Sequence, residues 1–141
     1  MAADIYAGDV TSVEAMEILK RETRAVLLDV RTDAESVFVG HPDLSCVGRE
    51  PVLVSWQTFP GMTPNDGFLE MVQQKIPDRN APVLLLCRSG QRSRNAAIAL
   101  TAAGYSECYN IADGFEGPKD ESGHRSTVSG WRVSGLPWQQ G

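Results

Sequence analysis

The chain has 141 residues, 42 % hydrophobic and 22 % charged, with a formal net charge of −5, proportions that fit one soluble domain able to bury a core. Residues 87–94 hold three arginines and no acid, which leaves −8 for the rest; positive charge this local excludes a broad nucleic-acid surface and favours a small anionic ligand held at one place. No apolar run approaches the roughly 20 residues of a membrane span, and the first residues lack the basic region and apolar core of a signal segment, so a cytoplasmic protein is expected.

Thr11 or Ser12, with Glu14 three residues after Thr11, signals the start of a helix that carries Val13, Met16 and Leu19 and runs over about 13–22. Ala25 to Val30 reads as a short apolar strand ending in the charged edge Asp29, Arg31 and Asp33. His41 and Pro42 suggest a turn, and Val52 to Val54 a second strand. Asn65 and Asp66 are placed to cap a helix with Phe68, Met71, Val72 and Ile76, stopped by Pro77. Pro82 to Leu86 is a buried strand, Asn95 to Ala103 a helix closed by Gly104, and Cys108 to Ile111 a further strand. Strands alternating with helices predict an α/β fold with three layers: a doubly wound parallel sheet of about five strands, with helices on both faces. Residues 115–130, rich in Gly, Ser and charge, read as a surface excursion, after which Trp131, Leu136 and Trp138 return the chain to the core.

The most informative segment joins the buried strand to the next helix: Cys87-Arg88-Ser89-Gly90-Gln91-Arg92-Ser93-Arg94. In a parallel α/β sheet ligands bind beyond the carboxyl ends of the strands, where both Cys87 and Asp29-Val30-Arg31 fall. A helix N-terminus carries about half a positive charge and donates N–H groups to anions. Such a position favours the thiolate, the nucleophilic form of cysteine. Gly90 permits close backbone approach, the serines supply donors, and Arg88 and Arg92 supply guanidinium forks, a company that an inert buried cysteine does not need.

Cys87 to Arg92, followed by Ser93, resembles the active-site loop of rhodanese-type sulfurtransferases, of the form Cys-Arg-Ser-Gly-x-Arg and then Ser or Thr. Leu27 to Arg31 followed by Glu35 and Gly40-His41, Ala103-Gly104-Tyr105 leading to Asn110-Ile111, and Gly114 with the later Trp131 and Gly135-Leu136-Pro137 agree with the same family, so the resemblance spans residues 10–138 as a single domain. It implies a relay in which the Cys87 thiolate takes a sulfane sulfur from thiosulfate or another persulfide donor and passes it to cyanide or a thiol, with no cofactor. Cys87 is then the catalytic residue. The amides from Arg88 through Ser89, Gly90 and Gln91 to Arg92 hold the persulfide and the leaving oxyanion, while Arg88 and Arg92 steer a small anionic donor. Ser93 either donates to the thiolate or caps the helix. A thiol, a thioredoxin-like protein or a sulfur-carrier protein is the implied acceptor.

Cysteine phosphatases and arsenate reductases share this strand-loop-helix arrangement, but their arginine stands six positions after the cysteine, whereas Arg92 stands five after Cys87 and Leu86 replaces the usual preceding histidine. The shorter loop suits one sulfur atom better than a tetrahedral phosphate. A non-catalytic binding module is the third reading, opposed by the presence of Cys87. Asp29 and Arg31 are supporting candidates, either orienting the loop or forming an ion pair under it, with the ion pair preferred. Arg94 is expected to face solvent or an acid. Cys46 and Cys108 read as core or loop residues; with Cys87 they make an odd number without short pair spacing, which disfavours a disulfide framework or a metal site. Trp56 and Phe59, with Pro60 and Gly61, form an aromatic loop that either walls the pocket or packs in the core.

Overall fold

The computed structural model describes residues 5–58 and 63–140. In chain order the strands and α-helices are β1 (Gly8–Val10), α1 (Ser12–Arg21), β2 (Val26–Asp29), α2 (Asp33–Phe38), β3 (His41–Pro42), β4 (Val52–Leu53), β5 (Gln57–Thr58), β6 (Thr63–Pro64), α3 (Phe68–Lys75), β7 (Val83–Leu86), α4 (Gln91–Ala102), β8 (Cys108–Ile111) and β9 (Trp138–Gln139). A short 3₁₀ turn occupies Ser45–Val47.

The central sheet has five strands in the order β1-β8-β7-β2-β4, and every neighbouring pair is parallel. Its middle strand, β7, is buried along its whole length, because helices cover both faces and no side is left for water. Side chains alternate between the two layers. Val83, Leu85 and Cys87 pack with Phe68 and Val72 of α3 and with Ala96, Ala97 and Leu100 of α4. Leu84 and Leu86 pack on the opposite face with Ala15, Met16 and Leu19 of α1 and with Phe115 and Trp131. The doubly wound arrangement expected from the alternation is therefore present.

Local chemistry explains the helix starts. Thr11 accepts from the Glu14 amide while the Glu14 carboxylate accepts from the Thr11 amide, a reciprocal cap that satisfies two donors at once. Thr32 and Glu35 repeat the same box on α2, a helix the hydrophobic pattern did not announce because none of its residues is buried. On α1 the buried face is Ser12, Ala15, Met16 and Leu19. Val13 is half exposed instead, since steps of three residues fall short of a full turn and drift off the face. Met71 is likewise partly exposed, while Phe68 and Val72, four apart, are buried.

Three expectations need correction, and one strand was not anticipated. The cysteine helix begins at Gln91, not at Asn95. His41 and Pro42 form no turn; they pair antiparallel with Gln139 and Trp138, and this tie brings the chain end back across the fold. The cap of α3 is Gly67, with Asn65 accepting from the Gly67 amide at 3.1 Å just outside the helix. Gly8–Val10 is a sheet strand that sequence reading missed, too short to show a period. Among the described residues, no helix is long and apolar enough to cross a membrane.

Candidate functional site

Cys87 follows the last residue of β7, and its side chain is almost fully buried at the floor of a cavity of about 760 Å³. The chain turns back at once: Gly90, at φ +107°, carries its amide to within 3.1 Å of the Cys87 Sγ and donates to it. A β-carbon at Gly90 would stand 2.3 Å from the Ala112 carbonyl oxygen, so only glycine passes here. Residues 114–117 clasp the loop from behind. The amide of Phe115 donates to the Cys87 carbonyl, and those of Glu116 and Gly117 both donate to the Arg88 carbonyl. Gly114, at φ +67°, leaves a β-carbon only 2.3 Å from the Arg88 oxygen and 2.6 Å from the Ser89 nitrogen. The segment read as a surface excursion thus begins with the fully buried Phe115 and the buried Gly117; residues 118–129 are exposed or half-buried.

The loop's charges are distributed differently from the sequence-based expectation. Arg92 does not open onto the cavity as a free cation: its Nη1 and Nη2 lie 2.6 and 2.8 Å from the two carboxylate oxygens of Glu35 on α2. Glu35 is mostly buried, and burial pushes its carboxyl up, but the hydrogen bonds and charge of Arg92, with the Thr32 cap, outweigh this and hold it below its ordinary range. The same hydrogen bonds from Glu35 raise the Arg92 guanidinium against the opposing effect of burial. Arg94 lies over the Tyr6 ring at 5.8 Å. Arg88, exposed on the cavity rim, has no ion pair or side-chain hydrogen bond among the described residues.

Ser89 and Gln91 also line the cavity. Ser93, fully buried one turn into α4, places its Oγ 3.2 Å from the Cys87 Sγ and 2.5 Å from the Asn110 Oδ1. Asp29 and Arg31 are not brought to the cavity. They form a buried ion pair, with Arg31 Nη2 2.7 Å and Nε 2.9 Å from the Asp29 oxygens, and the guanidinium rests 4.4 Å from the centre of the Phe115 ring. They lie beneath the clasp. Trp56 packs edge-on against Phe68 at 5.0 Å; Phe59, Pro60 and Gly61 lie outside the described residues.

The three cysteines differ in setting. Cys46 is exposed, whereas Cys87 and Cys108 are buried, and all are free thiols. Burial pushes the Cys108 thiol up to about 11, because an apolar surrounding penalises the thiolate.

The family described as the STR4 middle domain matches residues 7–141. The chain belongs to that family, a rhodanese-like group. The crystal structure of Rv0390 from M. tuberculosis superposes with a TM-score of 0.91 at 52 % identity, covering 97 % of this chain and all of that one. An uncharacterized protein of Rickettsia conorii, RC0915, is 39 % identical over 131 residues, or 93 % of this chain and 96 % of its own. Rhodanese-like domain-containing protein 4 of the Arabidopsis thaliana chloroplast is 30 % identical over 121 residues, 85 % of this chain but only 23 % of that longer protein. The rhodanese-like fold expected from the cysteine loop is thereby shown.

Three elements of this rhodanese-like site escaped a role in the sequence reading. Glu35 was legible through its capping box with Thr32, but nothing local indicated Arg92 as its partner 57 residues away. Asn110 appeared only as part of a family-like segment with no role attached and Asp9 gave no signal, since they join Ser93 only by strand pairing. Phe38, three-quarters exposed at the end of α2, forms an apolar part of the cavity wall.

Proposed function

We propose that this protein is a sulfurtransferase that moves a sulfane sulfur through a persulfide on Cys87. The observation that carries the reading is the Cys87 sulfur itself: a buried thiol at a cavity floor, met by the Gly90 amide in a loop of the rhodanese pattern. Cys87, as the thiolate, attacks the outer sulfur of a donor such as thiosulfate. The bond between that sulfur and the sulfonate sulfur breaks, its electron pair leaves with sulfite, and Cys87 holds the persulfide. An acceptor nucleophile, cyanide or a thiol, then attacks the outer persulfide sulfur, and the Cys87 thiolate departs. Arg88 steers the anionic donor, and the loop amides receive the charge that develops.

Sulfur is favoured over phosphate by the pairing of Arg92 as well as by loop length. A phosphate cradle needs its arginine fork turned to the oxygens, and here Glu35 occupies that fork. The acceptor in this reading is a thiol of a small molecule or of a thioredoxin-like or sulfur-carrier protein.

Purified protein incubated with thiosulfate should gain one sulfur on the Cys87 peptide by mass spectrometry and form thiocyanate with cyanide, both lost in Cys87→Ser. Arg88→Ala should raise KM for thiosulfate on the order of tenfold, the value of one charge-assisted contact, without lowering Tm. Hydrolysis of an aryl phosphate without any sulfur adduct on Cys87 would overturn the proposal.

A further inference from the structure

A chain of hydrogen bonds leaves Cys87 on the side away from the cavity. It runs from Sγ to Ser93 Oγ at 3.2 Å, to Asn110 Oδ1 at 2.5 Å, from Asn110 Nδ2 to Asp9 Oδ1 at 3.1 Å, and ends where the Tyr6 hydroxyl meets the same Asp9 oxygen at 2.7 Å. Ser93 is fully buried and Asn110 nearly so, while Asp9 stands exposed on β1. The chain joins α4, β8 and β1, elements that meet only in the folded sheet.

Its donor directions follow from the far end. An ionised carboxylate has no proton to give, so Asp9 only accepts. The Tyr6 phenol, pushed up by its hydrogen bond to Asp9, keeps its proton and donates there. Asn110 must then face Asp9 with its NH₂; the opposite flip would set the amide oxygen against a carboxylate oxygen with no proton between them. That leaves Asn110 Oδ1 toward Ser93. A contact of 2.5 Å between Oδ1 and Oγ needs a proton, and only the Ser93 hydroxyl has one.

We infer that Asp9, acting through Asn110, commits the Ser93 proton away from Cys87, so that Ser93 presents a lone pair to the sulfur and accepts from the thiol but gives nothing to the thiolate. Ser93, Asn110 and Asp9 are positioning residues. Ser93 Oγ lies within donating distance of both the Cys87 sulfur and Asn110 Oδ1; in this reading its one proton goes to Asn110, and α4 has no side-chain cap. The chemical consequence is a thiolate held by the Gly90 amide without a second hydroxyl donor. A less hydrogen-bonded sulfur anion is harder to form and more nucleophilic once formed, which suits a residue that must attack a sulfane sulfur.

The inference rests on Cys87 being the reactive thiol of the proposed transferase, but alkylation reads that thiol without any sulfur transfer, so the two fail separately. Other charges bear on the sulfur and are left in place by the test: Arg88 on the loop, Arg92 on α4 with Glu35 of α2, and the Asp29–Arg31 pair at the end of β2. Around Asp9 stand Tyr6 and, over its ring, Arg94.

The rate of iodoacetamide modification of the Cys87 peptide is measured against pH for the parent chain, Asn110→Leu, Ser93→Ala and Asp9→Ala, the last also in 0.5 M salt to screen its charge. In Asn110→Leu the Ser93 proton is released to Cys87; a hydrogen bond to a charged group raises the thiolate fraction below the midpoint on the order of tenfold, and with the lower nucleophilicity of that thiolate the modification there becomes about threefold faster. Asp9→Ala, at an exposed position where folding is safe, shifts the profile the same way in high salt, since the Asn110 amide is then free to turn. Ser93→Ala does not move the midpoint upward. The inference is overturned if Asp9→Ala leaves the profile in place in high salt, or if Ser93→Ala moves the midpoint to higher pH, as loss of a thiolate donor would.

Discussion

Gly114→Ala is the substitution that tests most directly how the 114–117 clasp shapes the cysteine loop. At φ +67° the new side chain enters the left-handed region, which costs a non-glycine residue about 1–2 kcal/mol. Its β-carbon would also stand 2.3 Å from the Arg88 carbonyl oxygen, 2.5 Å from the Arg88 carbonyl carbon and 2.6 Å from the Ser89 nitrogen, all backbone atoms that have no rotamer to escape by. Overpacking of this kind adds about 1–3 kcal/mol. A total of roughly 2–5 kcal/mol, at about 2–4 °C per kcal/mol for a chain of this size, lowers Tm on the order of 10 °C. Gly123→Ala separates the two contributions, because Gly123 has φ +80° but nothing within 4 Å of its β-carbon; it loses the backbone contribution alone, on the order of 4 °C. Thermal denaturation of the two variants gives the difference. Sulfur loading of Cys87 gives the functional half: displacing the Arg88–Ser89 backbone by about 1 Å should slow it on the order of 100-fold in Gly114→Ala and leave it unchanged in Gly123→Ala. Equal Tm values and equal loading rates for the two variants would refute the view that the clasp sets the loop.

Two further outcomes follow from the charges and thiols. Glu35→Gln leaves Arg92 partly buried without its counter-ion and should destabilise the protein by about 2–3 kcal/mol at pH 7 in urea denaturation. Because the Glu35 carboxyl sits below its ordinary value of 4.5, its contribution is full above that value and fades as pH falls through the lower folded-state value, so the gap between parent and variant should close under acid and not in base. A gap that persists unchanged at pH 2 would sink this account. Maleimide at neutral pH should modify the exposed Cys46 within minutes and leave Cys108 untouched in the folded chain, as a buried thiol raised to about 11 requires. Rapid modification of Cys108 without unfolding would contradict the burial.

Sequence alone was enough for the parallel α/β architecture, because apolar runs of strand length alternate with capped helical patterns and β7, being covered on both sides, reads as an unbroken Val-Leu-Leu-Leu run. The cysteine loop on which the proposed function rests was legible as well, since Cys87 to Ser93 is contiguous and its pattern is written in residue type and spacing. What it missed were features with no local period: β1 is three residues long, α2 buries none of its residues, and His41–Pro42 becomes a strand only because the chain end lies beside it. The loop's charge was the subtlest of these. Three arginines in eight residues suggest a basic cradle, yet Arg92 is claimed by Glu35 and Arg94 lies over Tyr6, so Arg88 is left at the rim. Likewise the direction of the Ser93 hydroxyl depends on Asn110 and Asp9, which adjoin it only through the pairing of β1 with β8. Residue types set which groups are able to react; which partner each proton and each charge meets is a matter of distances across the sheet, and those exist only once the chain has folded.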